Sequence, residues 1–323
     1  MFAVGLAVPL LLAQACSERT SGRVLRLAHG LDVSHPVHRA FEHMAEVLAD
    51  RSGGRMRLLL YPSEQLCSER ECIELLQLGS LALTKVSASV LENFAPGFAI
   101  FTVPYLFRDR DHRFAVLDGS VGQHLLRSAG PLRLWGLGYL DAGSRSFYTR
   151  EHPLRSPEDL RGLRIRTQES PSAIAVVESM GAAATPISWG ELYTALQQGV
   201  VDGAENNPPS YHLSGHYQVA PFLTLDEHTA VPDVLLVGMP IWESLSERER
   251  GWLEEAVDAG VRRQRQLWQE ATAEALRVVR ASGVEVIEPD PDAFAAATQD
   301  YRERVGRDPM LGPLLLAIGE TRP

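Results

Sequence analysis

The stretch SERERGWLEEAVDAGVRRQRQLWQEATAEALRVVRASG, residues 246–283, carries one uninterrupted helical period. Ser246-Glu247-Arg248-Glu249 caps it. The apolar stripe then runs Leu253, Val257, Val261, Leu267 or Trp268, Ala271, Ala275 and Val279, and Gly283 stops it. A helix of about 35 residues spans about 50 Å at its usual rise, which is longer than a small domain is wide. One core cannot hold such a helix, but two lobes can share it. The stretch therefore predicts two α/β lobes on a common helical spine, with a cleft between them.

The rest of the chain supplies the lobes. Length points the same way, since 323 residues exceed one ordinary core. Val24 to Ala28 reads as a strand, and Ser34 with Pro36 opens a helix whose stripe is Val37, Phe41, Met44, Ala45 and Leu48. Met56 to Leu60 is a second strand, Ser68 to Glu71 is a capping box, and Ala82 to Val90 reads as a third strand. This βαβαβ rhythm implies a mostly parallel sheet covered by helices. A second unit begins near Arg145, with a strand at Leu163 to Arg166 and a helix from Glu191 to Gln198. The expected division is 24–144 plus 230–265 for the first lobe and 145–229 plus 266–320 for the second.

Residues 1–15 form a short apolar run ending in Ala13-Gln14-Ala15, which reads as a signal peptide for export to the periplasm. Cys16 follows at once and is a candidate for a lipid anchor. Cys67 and Cys72 could pair in an oxidising compartment, but their closeness makes the geometry tight and leaves the question open. A net charge of -10 argues against nucleic acid, which needs a basic face, but not against a small anion held by local arginines.

Signs of catalysis are missing. There is no Gly-x-Ser-x-Gly elbow and no phosphate loop, and Gly136-Leu137-Gly138 lacks the third glycine of a dinucleotide fingerprint, so it reads as a tight turn. The His35/His38 and His212/His216 pairs have no third ligand at a motif spacing, so neither a metal nor a cofactor is expected.

Three basic residues stand out. Lys85 is the only lysine in the chain and lies in the apolar run Leu83 to Ala88. A buried ammonium needs a partner there, either a ligand or an internal carboxylate, and Ser87 shares its face. Arg166 ends a strand, the place where open α/β sheets hold ligands, and its guanidinium suits a carboxylate. Arg145 follows the preceding strand and could lend a second arm.

Several segments together resemble the extracytoplasmic solute receptors of TRAP transporters. They are Tyr61 to Leu66, Gln77 to Ser80, Val103 to Phe107, Ser156 to Arg166, Glu191 to Gln197 and Gly199 to Asn206, in that order. The resemblance covers Val24 to about residue 310. It implies a periplasmic-binding-protein clamshell with mixed, crossing strands and a long helix spanning both lobes. It also implies no enzymatic activity, a small organic anion in the cleft, and TRAP permease membrane subunits as partners to an expected monomer. By the same resemblance Arg166 grips the ligand carboxylate with Arg145 assisting, Trp189 packs over the ligand, and Asn206, extended by Asn207, adds hydrogen bonds.

Cys67 departs from the glycine usual in that family. Lys85 and Ser87 form a cationic, hydroxyl-bonding wall that suits a sugar acid, a uronate or aldonate, better than a plain dicarboxylate. His29 and His35, near the end of the first strand, are expected to reach the ligand's hydroxyls. A C4-dicarboxylate receptor, a receptor serving a sensor kinase and a secreted α/β hydrolase are the alternatives.

Overall fold

The computed structural model describes residues 22–322, so residues 1–15, read above as a signal peptide, and Cys16 lie outside the described residues. Two mixed sheets form. The first takes β1 (Arg23–Ala28), β2 (Met56–Tyr61), β3 (Leu83–Ser87), β4 (Leu134–Leu140) and, from far along the chain, Asp233–Gly238. The second takes β5 (Arg145–Thr149), β6 (Arg164–Thr167), β7 (Ala183–Pro186), β8 (Gly203–Asn206), β9 (Phe222–Thr229) and Glu285–Ile287. Asp233–Gly238 is β10 and Glu285–Ile287 is β11. Strand order is β2-β1-β3-β10-β4 in the first sheet and β11-β9-β5-β8-β6-β7 in the second. β1 is parallel to β2 and β3, and β6 is parallel to β7 and β8, while β10 and β5 run antiparallel to their neighbours.

The chain crosses between sheets twice within short distances, from β4 to β5 through residues 141–144 and from β9 to β10 through residues 230–232. These segments form the hinge, and the long helix braces it. That helix runs Glu247–Ala281, 35 residues, with Ser246 and Glu249 forming the capping box that starts it. It packs on helix Pro36–Ser52 in the first lobe and on helix Pro208–Leu213 in the second. Gln264, fully buried, holds the hinge peptide by both of its polar atoms: its Oε1 accepts from Asp141 N at 2.8 Å and its Nε2 donates to Asp141 O at 2.7 Å. Gly143 has φ 61°, and a Cβ there would lie 2.9 Å from Trp268 Nε1 on the same helix. Only glycine lets the hinge lie this close.

Several local expectations are corrected. The third strand stops at Ser87, where a short helix, Ala88–Leu91, takes over. His35 and not Ser34 caps helix Pro36–Ser52, because its Nδ1 accepts from Val37 N at 3.3 Å. Gly136 and Gly138 lie inside β4 at a register shift opposite Leu235 and Leu236, not in a turn. The last helix, Leu311–Glu320, lies against segments Pro96–Thr102 and Ser120–Ser128. It also packs on helix Gln299–Arg307, which in turn lies against helix Pro171–Ser179. Cys67 and Cys72 form a disulfide with their Cα atoms 5.3 Å apart, just ahead of and within helix Glu69–Leu78.

Candidate functional site

Parallel strands end on the same side, and here both sheets point those ends at one place. The carboxyl ends of β1, β2 and β3 meet those of β6, β7 and β8 around a cavity of about 690 Å³, a figure that includes its opening to solvent. Gly30 and Leu31 come from the end of β1, Glu64 from β2, and Lys85 and Ser87 from β3. Arg166 and Gln168 come from β6, Ile187 to Trp189 from β7, and Asn206 and Asn207 from β8. This is the position that open α/β sheets offer a ligand.

Two buried arginines line the cavity, and their environments differ. Arg145 is neutralised: Glu205 takes its Nε and, at 2.8 Å, its Nη2, while Asn206 Oδ1 accepts from Nη1 at 3.2 Å. Burial alone would lower its pKa, but the Glu205 carboxylate more than offsets this and raises it. His228 stands behind, 3.8 Å from Glu205 and held by Asp226 at 2.7 Å. Arg166 is only 2% exposed, yet its one side-chain hydrogen bond among the described residues runs from Nε to Ile187 O at 2.8 Å. Its Nη1 is buried with no partner, and burial keeps its pKa below the ordinary arginine value. Trp189 lies against the guanidinium at 5.9 Å. A fixed cation with no carboxylate bonded to it, aimed into a cavity, is an anion site.

Lys85 is 5% exposed and sits between two carboxylates, Glu69 Oε1 at 2.9 Å and Asp233 Oδ1 at 3.1 Å. Burial would lower its pKa, but Asp233 and Glu69 raise it well above the usual lysine value, so it stays protonated. The internal salt bridge weighed from the sequence is therefore present, with two acids in place of one, and it forms part of the cavity wall. The other oxygen of Glu69 accepts from Ser87 N at 3.1 Å. Ser87 Oγ lies 2.9 Å from Ser89 and donates to Gln168 Oε1 of the opposite lobe at 3.3 Å.

Asn206 accepts three hydrogen bonds on Oδ1, from Arg145 Nη1, Asn207 N and Asn207 Nδ2. Its amide nitrogen is the group left for the cavity. Asn207 caps helix Pro208–Leu213, accepting from Ser210 N at 2.8 Å. His35 lines the cavity with Nε2 3.3 Å from Ser210 Oγ. His29 does not reach it. The residue is 2% exposed, with Nε2 3.0 Å from His38 Nδ1 and Nδ1 accepting from Leu31 N at 3.2 Å. Helix Pro36–Ser52 packs Phe41 and His38 over the end of β1, so the imidazole turns into the core.

Glu64, Gln168, Asp233 and Trp268 line the cavity but were not expected as site residues from the sequence. The signal available for Glu64 was its place in Tyr61 to Leu66, and for Asp233 the demand of Lys85 for a carboxylate.

His29, His35 and His216 are held neutral. Burial, reinforced by Lys85 or Arg166, lowers their pKa from 6.5 to about 2, about 3 and about 3. The unfolded chain takes up these protons near pH 6.5 and the folded one does not. Stability is therefore lost as pH falls from about 6.5 towards about 3, by about 1.4 kcal/mol per pH unit for each such histidine. Urea midpoints measured from pH 7 to 4 are expected to fall, and His35→Asn to flatten that limb. An unaltered limb would show that His35 is not among the groups responsible.

Hinged lobes around an anion pocket define a solute-binding protein. The chain belongs to the bacterial extracellular solute-binding protein family 7, whose model matches residues 27–307. This is the TRAP receptor family indicated by the sequence motifs. A solute-binding protein of Chromohalobacter salexigens is 32% identical over 90% of this chain and 87% of its own. A TRAP periplasmic solute binding protein of Bradyrhizobium sp. BTAi1, solved in complex with α/β-D-galacturonate, is 36% identical with a TM-score of 0.90 over 93% of this chain and 100% of that one. Another from Pseudomonas putida F1, with bound D-glucuronate, is 32% identical with a TM-score of 0.89 over 93% of this chain and 98% of that one.

Proposed function

We propose that this protein is the periplasmic receptor of a TRAP transporter and captures a sugar acid, a uronate or aldonate, by its carboxylate. The observation that carries this reading is Arg166, a buried guanidinium with a free Nη1 at the cavity wall. A carboxylate would bridge its two terminal nitrogens, with the amide of Asn206 alongside and Trp189 over the ligand. Arg145, neutralised by Glu205, sets the position of Asn206 through its Nη1. Lys85 presents Glu69 and Asp233 as hydrogen-bond acceptors, and His35, Ser87 and Asn207 extend the polar wall. That wall suits hydroxyls better than a second carboxylate, and the similar proteins that hold glucuronate and galacturonate support the choice. The protein releases the acid unchanged to its membrane permease partners.

Thermal-shift titration tests this with hexuronates, aldonates and C4-dicarboxylates. A ligand at 100 times its Kd stabilises the folded state by about 2.7 kcal/mol. A hexuronate or aldonate is expected to raise the midpoint at the lowest concentration. A stronger response to succinate or malate would replace the sugar acid with a dicarboxylate.

A further inference from the structure

Among the described residues, two buried side-chain atoms without a partner belong to cavity-lining residues: Arg166 Nη1 and Glu64 Oε1. The first is a donor and asks for the carboxylate. The second is an acceptor, and a buried carboxylate oxygen with no protein partner beside a cavity asks for a donor.

Glu64 is held firmly enough to make that demand specific. It follows β2 in a turn where both Ser63 and Glu64 adopt φ 54°, a left-handed conformation unfavourable for such residues. The turn is tied to the end of β1, with Ser63 N donating to Leu31 O at 3.1 Å and Glu64 N to His29 O at 3.2 Å. Backbone strain maintained by surrounding bonds is a feature of ligand clamps. The side chain then crosses the cleft, and its Oε2 accepts from Gly190 N, in the other lobe, at 3.0 Å. A Cβ on Gly190 would lie 2.5 Å from that oxygen, and one on Gly30 would lie 3.2 Å from Oε1. Two glycines, one in each lobe, therefore make room for this carboxylate.

We propose, building on the sugar-acid reading, that Glu64 is a specificity residue that joins closure to recognition. One oxygen latches the Trp189-Gly190 segment of the second lobe, and the other accepts a hydrogen bond from a hydroxyl of the bound acid. An acid lacking that hydroxyl closes the cleft over an unpaired carboxylate oxygen and is rejected. Sites built to bond a substrate hydroxyl discriminate strongly against its absence.

The test is calorimetric titration with D-galacturonate and its monodeoxy analogues, against wild type, Glu64→Ala and Glu64→Gln. In wild type, one analogue is expected to lose about 100-fold in affinity relative to the parent. In Glu64→Ala that gap is expected to shrink to within about threefold. In Glu64→Gln, which keeps an oxygen for Gly190 but no charge, it is expected to fall to about tenfold. Thermal midpoints of the ligand-free variants confirm folding. A gap as large in Glu64→Ala as in wild type would leave Glu64 a latch only and overturn the inference while leaving the sugar-acid reading intact. Failure of wild type to bind the parent would instead sink both.

Discussion

Arg166→Ala is expected to abolish measurable binding of an acidic ligand while leaving the empty protein as stable as before, or more so. Truncating one partner of a buried, hydrogen-bonded charge pair costs about 2–5 kcal/mol, between thirty-fold and several thousand-fold in Kd. The stability side follows from the same geometry. In the empty protein Arg166 has a buried Nη1 without a protein partner, and burial outweighs the pull of Glu205 and Glu69 on it, so its removal relieves a desolvation penalty. Arg166→Lys cannot reproduce the two-pronged contact and is expected to fall between wild type and alanine. Titration calorimetry and a denaturation curve check the two halves separately. Loss of stability with binding preserved would make Arg166 an ordinary structural residue.

Lys85→Met is expected to behave in the opposite way. Removing the ammonium leaves Glu69 and Asp233 facing each other at a buried wall, and breaking a buried ion pair from one side costs about 3–5 kcal/mol. The pH dependence has a definite sign. With the lysine gone, burial and mutual repulsion raise the folded pKa of the acid pair above its unfolded value. Stability is then greatest when the pair carries a proton and is lost as pH rises through that raised pKa. The variant should therefore recover part of its deficit at pH 5 relative to pH 8. In wild type Lys85 is shifted upward, so its contribution is complete below the ordinary lysine range, while burial already raises Asp233 to about 6 against the pull of Lys85; the variant is expected to show the larger difference between the two pH values. Urea curves at both pH values measure the difference. Equal deficits at the two values would mean that the acids are not coupled through Lys85.

These two basic residues also show how far the sequence could be read. The solitary lysine in an apolar strand announced a buried charge with a partner, but one of its acids sits sixteen residues upstream and the other on β10, which joins the sheet from residue 233. Nothing local in the chain names that pair. Arg166 was legible because the carboxyl end of a parallel strand is a position set by topology alone. The long helix was legible for a similar reason, since a stripe, a cap and a stop are local properties. His29 was misread because strand-end position says where a residue lies and not which way its ring turns; packing by His38 and Phe41 decides that. Glu64 went unseen because its partners, Gly30 and Gly190, come from different lobes, and glycine leaves no chemical trace in a motif search. The disulfide stayed open for want of a backbone: five residues of separation permit bonding only when the loop folds back, as it does here ahead of helix Glu69–Leu78.

Arg166 is proposed to grip a carboxylate while the surrounding wall recognises hydroxyls. Calorimetric titration of the ligand-free protein with D-galacturonate and, in parallel, with D-galactose addresses this most directly. The two share their ring stereochemistry and differ in one carboxylate. Saturable binding is expected for the acid and none for the neutral sugar at the same concentrations. Equal affinity for both would contradict the carboxylate grip.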